Sequence, residues 1–138
     1  MKRIIYILSI AVVLAVSACK KEAATQHKGV PIPVSNEHLA GTWKVIGNMI
    51  SSGGPMYFVP TTGNYHVTFQ TDGTMLGSEF PDFVTYTLKT DSSIVRMTKA
   101  DNSTYQNYLT TISSDTLTMS PFGPSMCIEG CAIKLVKQ

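Results

Sequence analysis

Apolar and polar residues alternate along most of the chain from residue 42 onward, and this period of two predicts β-strands that bury one face. Residues 65–70 are the clearest case, because tyrosine, valine and phenylalanine alternate there with histidine, threonine and glutamine. The dipeptide Asp72-Gly73 that follows is a strong hairpin signal. The predicted strands are Thr42–Ile50, Met56–Val59, Tyr65–Gln70, Thr74–Glu79, Phe83–Lys89, Ile94–Thr98, Thr104–Ile112, Thr116–Ser120 and Cys131–Val136.

Short turns rich in Gly, Pro, Asp and Ser separate these segments, and no helical period occurs after the N-terminal apolar run. Sequential hairpins of this kind predict an all-β antiparallel meander. A meander of eight or nine short strands packs as a sandwich or closes into a barrel, and closure removes the exposed strand edges. Eight strands enclose an interior that holds side chains or one small ligand.

The N-terminus has the pattern of an export signal. Met1-Lys2-Arg3 is basic, and the apolar run Ile4–Val16 has 13 residues, too few for the roughly 18 that span a bilayer. The sequence Val16-Ser17-Ala18-Cys19 resembles the bacterial lipobox, in which cleavage precedes the cysteine and the cysteine is acylated. The alternative is an ordinary secretory signal with an incidental cysteine. The expected organisation is a signal peptide over residues 1–18, a lipid-anchored tether over 19–36 and a barrel domain over 37–138.

Removing residues 1–18 also changes the charge balance. Lys2 and Arg3 are lost, which leaves 9 basic and 9 acidic side chains, and from Glu37 onward there are 6 basic and 8 acidic residues. No basic patch remains to attract nucleic acid, so this class of partner is excluded. Lys20 after Cys19 does not resemble an inner-membrane retention signal. We therefore expect the outer membrane, with the domain facing either the periplasm or the cell surface.

Cys127 and Cys131 are the cysteines left after lipidation, and export places them in an oxidising compartment. An extended strand would separate their Cα atoms by about 13 Å, whereas a disulfide needs about 4.4–6.8 Å. A bond between them therefore requires a tight turn, and Gly130 is the residue suited to a positive φ. The alternative, a metal site, needs further ligands nearby, and none is visible.

A family resemblance begins at the first predicted strand. Gly41-Thr42-Trp43, which includes the single tryptophan, resembles the Gly-x-Trp signature of lipocalins, and the short helical turn before it fits that fold. The lipobox, the sequence around Gly41-Thr42-Trp43 and the C-terminal cysteine pair are similar to small lipocalin-like lipoproteins of Bacteroidetes-type bacteria. The resemblance implies an eight-stranded antiparallel up-and-down barrel, open at one end. It also implies that Trp43 packs at the closed end against a cation of the last strand, for which Lys134 is the candidate.

The resemblance further implies a small apolar ligand inside the barrel, and the large side chains expected to face inward are the candidates for binding it. These candidates are Tyr65, Phe69, Tyr86, Met97 and Tyr108. The alternative is that they form a simple packed core, which a small barrel needs in any case. Arg96 either meets a carboxylate head group inside the barrel or faces solvent, and the solvent-facing position is favoured.

No catalytic motif is present in the sequence. The histidines are scattered, and there is no nucleophile elbow, zinc-binding helix or phosphate-binding glycine loop. We therefore expect a protein without cofactor, metal site or catalysis that binds or carries a small hydrophobic molecule in the cell envelope. The alternative is a filled barrel that binds another envelope protein.

Overall fold

The computed structural model describes residues 32–89, 93–128 and 130–138 of the chain. The predicted signal peptide, the predicted lipidation site Cys19 and most of the predicted tether lie outside the described residues. Within the described residues there is no helix long and apolar enough to cross a membrane.

One short helix and nine strands make up the described part of the chain. They are α1 (Asn36–Leu39), β1 (Gly41–Ile50), β2 (Tyr57–Pro60), β3 (His66–Phe69), β4 (Met75–Gly77), β5 (Phe83–Lys89), β6 (Ile94–Lys99), β7 (Tyr105–Ser113), β8 (Thr116–Gly123) and β9 (Cys131–Lys137). The strands agree with the predicted segments, except that β4 is shorter and that β8 continues through Pro121, where a loop was expected.

The strands form one antiparallel sheet in the order β4-β3-β1-β9-β8-β7-β6-β5, with β2 also paired to β1. Both β2 and β3 lie along β1, β2 beside residues 47–50 and β3 beside residues 41–44, so they are two halves of one broken barrel strand. The sheet therefore follows the predicted eight-stranded up-and-down order. It curls until β4 meets β5 through the Thr74–Thr85 bridge, and the predicted barrel is confirmed as a nearly closed one.

The last residues of the predicted tether pack against the barrel. Ile32 donates its N–H to the carbonyl oxygen of Ile112 at 2.8 Å, and Ile32 and Val34 lie against the core. Ser35 then caps α1, because its hydroxyl accepts the N–H of His38 at 3.2 Å. The chain therefore joins the barrel beside the end of β7.

Trp43 lies at this end of the barrel and is completely buried. Its indole Nε1 donates to the carbonyl oxygen of Leu39 at 2.7 Å, so α1 is held across the barrel end. The cation over the indole ring is Lys137, with Nζ 5.2 Å from the ring centroid. The expected partner, Lys134, lies instead over the ring of Phe58 on the outer surface. The helical cap, Trp43 and Lys137 together close this end.

The predicted bond between Cys127 and Cys131 is confirmed, with Cα atoms 5.9 Å apart. The disulfide lies between β8 and β9, and Gly130 has the positive φ of 78° that the tight turn requires.

Candidate binding site at the open end of the barrel

The two ends of the barrel differ in what covers them. β1 begins at the closed end, near Trp43, and ends at Ile50 at the opposite end of the barrel. Because neighbouring strands are antiparallel, α1 and the hairpin turns after β3 and β7 also lie at the closed end. The connections over residues 51–56, 78–82, 100–104 and 124–130 lie at the opposite end. No helix spans that end in the described part of the chain, and we call it the open end.

A bulge in β1 determines which side chains face the interior there. Val45 pairs with Leu135, but Gly47 pairs with Lys134, so the register skips Ile46. Gly47 consequently lies on the outer face with Lys134, and the ring of Phe58 covers both. A Cβ on Gly47 would overlap Phe58 and the backbone of Val59, which explains the glycine.

Above the bulge, Asn48 and Ile50 therefore lie on the inward face of the sheet, the reverse of their directions in a regular strand. Both side chains stay exposed because the barrel is open at this end. Asn48 pairs with Ile133 and Ile50 pairs with Cys131 on β9. Ile133 in turn pairs with the completely buried Met119 of β8. The bulge thus brings side chains of β1, β8 and β9 together at the open end.

These side chains surround a cavity of about 250 Å³, which we call the mouth pocket. Asn48 supplies a polar group to a lining that is otherwise mainly apolar. The lining residues are Asn48, Ile50, Pro121, Cys131, Ala132 and Ile133. Pro121 belongs to the pocket because a second bulge pairs it with the buried Tyr108.

Two loops fill the space beside the mouth pocket. The connection between β4 and β5 inserts Phe80 into the barrel, where its ring lies 5.4 Å from that of Tyr108. The connection between β8 and β9 is held by Gln106, which is buried and donates to the carbonyl oxygen of Ser125 at 2.8 Å. The Gln106 side-chain oxygen also accepts the Ser125 N–H at 3.2 Å. Both connections are therefore packed against the barrel interior.

Most of the predicted ligand-binding residues lie in the packed core below the pocket. Phe69, Tyr86, Met97 and Tyr108 are all buried, and the rings of Phe69 and Tyr86 meet edge to face at 5.1 Å. None of them lines the mouth pocket. Their arrangement matches the packed-core alternative, and it gives no support to a ligand contact at the mouth pocket. Tyr86 also lines a separate groove at the closed end.

Tyr65 does not lie in the interior, and the expectation that it faces inward is wrong. Its side chain is 47% exposed and lies against Gly63, because it precedes β3 in the break between β2 and β3. Arg96 is on the outer face, as favoured from the sequence. Its guanidinium lies 4.3 Å from the Tyr105 ring centroid and donates to Asn107 Oδ1 at 3.1 Å.

Among the described residues, the charged side chains of the open-end connections lie on the side of β4, β5 and β6. Asp82 and Lys99 form a salt bridge of 2.9 Å. Glu79 is partly buried beside Phe80, and this burial raises the pKa of its carboxyl. Burial also raises the pKa of the Tyr108 hydroxyl, and the nearby Glu79 carboxylate raises it further.

A second cavity, of about 680 Å³, is a broad groove at the closed end. It lies between residues 34–37, the turn at residues 71–73 and the end of β5. Tyr86 lies at its base and donates its hydroxyl to the carbonyl oxygen of Gln70. Burial, followed by the charge of Asp72, raises the pKa of that hydroxyl. Polar and apolar residues both line the groove. Its described residues form no recognisable catalytic or metal-binding arrangement.

Comparison of the chain with protein-family models, with curated proteins and with solved structures gives no significant match. In the described ranges, no group of three or more His, Cys, Asp or Glu side chains is placed to hold a metal ion. The case for a binding site therefore rests on the geometry of the open end.

Proposed function

We propose that this protein is a lipid-anchored, lipocalin-like protein of the outer membrane that binds the apolar part of a small hydrophobic molecule without catalysis. The observation that carries the proposal is the mouth pocket, an apolar cavity at the open end of a barrel whose remaining interior is packed. The Gly41-Thr42-Trp43 sequence at the closed end and the lipobox around Cys19 are consistent with it.

The size of the pocket limits what it takes up. Pockets for drug-sized ligands usually measure about 300–1,000 Å³, and the mouth pocket, at about 250 Å³, is slightly smaller. A ligand therefore inserts one apolar end, and the rest of it stays at the rim. No Lys or Arg lines the pocket, so an uncharged inserted group fits it better than an anionic head group.

Native mass spectrometry of residues 20–138, which contain all of the core, is the direct test. We expect an adduct of a few hundred daltons after incubation with fatty acids or isoprenoids, and loss of this adduct in Ile50→Trp, which fills the pocket. Leu109→Trp is the matched control, because Leu109 is exposed on β7 outside the pocket. A bare protein mass under all conditions, or an adduct that survives Ile50→Trp, would refute the proposal.

A second candidate function is binding of another envelope protein. It is favoured by exposed apolar side chains in the open-end connections, among them Met126 and Ile128.

A further inference from the structure

β2 has one edge that no strand of the described chain covers. It pairs with β1 alone, whereas β3, the other strand along that edge of β1, continues the barrel through β4. β4 ends below the level of β2, because the chain leaves the β3 ladder at Glu79, whose N–H donates to the carbonyl oxygen of His66. His66 pairs with Lys44, which lies closer to the closed end than residues 47–50 beside β2.

The uncovered edge of β2 presents the backbone groups of Phe58. Thr61 donates its N–H to β1, and the carbonyl oxygen of Val59 lies against Gly47, so both residues direct their backbone towards β1. Backbone groups alternate in direction along a strand, and Phe58 therefore directs its N–H and C=O away from β1. Pro60 points the same way but has no N–H. Among the described residues, no other strand or loop forms a backbone hydrogen bond with this edge.

The side chains along this edge are large, apolar and accessible. Tyr57, Phe58, Val59 and the preceding Met56 are each between 37% and 51% exposed. β2 itself carries no charged side chain, although charged residues usually protect an exposed edge strand from pairing. Lys134 does reach the ring of Phe58, but it comes from β9, on the paired side of β2. The edge is therefore open to an incoming strand.

We propose that β2 pairs antiparallel with β2 of a second copy of this chain. Placing Phe58 opposite Phe58 of the second copy uses the backbone donor and acceptor of both residues. This register also places Tyr57 opposite Val59 of the second copy, twice by symmetry. Aromatic pairs, and pairs of an aromatic with a β-branched residue, stabilise neighbouring strands. A second copy therefore fits the edge in backbone and in side chains, and one symmetric contact covers two exposed edges.

The area of this contact limits its strength. A four-residue strand with its exposed side chains covers less than the roughly 800 Å² per partner of a standard interface. We therefore expect a reversible dimer with a dissociation constant above about 1 μM. No residue of β2 lines the mouth pocket, so this inference does not depend on the proposed function, and each can fail without the other.

Sedimentation equilibrium of residues 20–138, which contain all of the core, tests for the dimer between about 10 μM and 1 mM protein. We expect the weight-average mass to rise with concentration from the monomer towards the dimer. Val59→Lys places a charge in the middle of the contact and should raise the dissociation constant at least about tenfold. Leu109→Lys adds the same charge on the exposed outer face of β7 and should leave it unchanged.

Disulfide cross-linking tests the register. In the proposed pair the Cα atoms of the two Phe58 residues lie about 5.5 Å apart, which is within the range for a disulfide. The two Tyr57 residues are diagonal neighbours about 7–8 Å apart, which is too far. The native Cys127 and Cys131 are already joined to each other. Oxidation should therefore link two copies of Phe58→Cys and leave Tyr57→Cys monomeric at the same concentration.

Three outcomes would overturn the inference. They are a monomer mass at every concentration, equal association of wild type and Val59→Lys, and cross-linking of Tyr57→Cys as fast as that of Phe58→Cys. The second outcome would place the contact on another surface, and the third would exclude the register. Circular dichroism spectra that match wild type establish that each variant is folded. If a variant does not fold, the concentration dependence of the wild-type mass still decides whether the dimer exists.

Discussion

At the scale of single residues, Trp43 combines more interactions than its size alone suggests. The side chain is completely buried, donates a hydrogen bond to the Leu39 carbonyl oxygen and lies beneath the Lys137 ammonium. It therefore joins the helical cap, the first strand and the last strand at one point. A change at this residue affects both the packed core and the closure of the barrel end.

Replacing Trp43 with alanine should lower the free energy of unfolding by about 3–5 kcal/mol, because a large cavity forms in the core. Urea unfolding followed by circular dichroism measures this difference. Leu109→Ala is the control, since Leu109 is exposed on the outer face and its loss should change stability by less than about 0.5 kcal/mol. Equal midpoints for the two variants would contradict the central position of Trp43.

Glu79 should make stability depend on pH. Burial raises the pKa of its carboxyl in the folded state, so the folded protein favours the protonated form. The stability associated with this group is therefore present in acid and is lost as the pH rises above about 4.3, the unfolded value, and through the raised pKa. Glu79→Gln, which stays neutral, should match wild type at pH 3.5 and exceed it at pH 7 in urea unfolding. A gain at pH 3.5 that equals the gain at pH 7 would show that ionisation is not the cause.

At the scale of elements, the sequence predicts side-chain directions correctly in regular strands and incorrectly next to β-bulges. The alternation in residues 66–69 is regular, and Val67 and Phe69 are buried as predicted. In β5, a register shift between Phe83 and Thr85 leaves Val84 exposed, although alternation placed it on the same face as the buried Tyr86. Alternation assigns faces correctly only within an uninterrupted ladder.

The bulge at Ile46 has the larger consequence, because it creates the mouth pocket. Simple alternation from Trp43 and Val45 directs Gly47 inward and Asn48 and Ile50 outward. The skipped residue reverses these directions. Ile50 and its neighbours in the pocket were therefore absent from the predicted site, while Gly47 itself was the signal that a ring or backbone approaches closely.

The seam between β4 and β5 should be the least protected part of the barrel. Among the described residues, it is joined by the Thr74–Thr85 bridge and by the hydrogen bond from the Tyr86 N–H to the Gly73 carbonyl oxygen at 2.7 Å. β1 and β9, in contrast, pair at seven positions. Local opening follows such differences in hydrogen bonding.

Hydrogen–deuterium exchange with mass spectrometry tests this expectation. Peptides covering β4 and the first half of β5 should exchange before those covering β8 and β9. Peptides from β7, which is paired on both sides, serve as the internal reference. Uniform exchange along the chain would indicate that the seam opens only with the whole barrel.

At the scale of the whole molecule, the sequence predicts the strand order well because consecutive strands are joined by short hairpins. The strand count left a sandwich and a barrel as alternatives, and the resemblance to lipocalins favoured the barrel. The disulfide was expected from export to an oxidising compartment and from the turn that Gly130 allows between Cys127 and Cys131. The open-end pocket was not predicted, since it depends on which residues the ladder skips and on how far loops such as the one carrying Phe80 enter the barrel. Both features depend on tertiary packing, and neither leaves a periodic pattern in the sequence.

The pairing of β1 with β9 has a consequence for how the chain acquires its structure. These strands lie at opposite ends of the domain sequence, yet Trp43 pairs with Lys137 and Gln138 donates to Thr42. Contacts between distant parts of a chain form slowly, because loop closure precedes any gain from the contact. β1 is therefore fully paired only after β9 has formed. Until residues 131–137 are in place, one edge of β1 stays unpaired, and an unpaired edge strand is a site at which chains can associate.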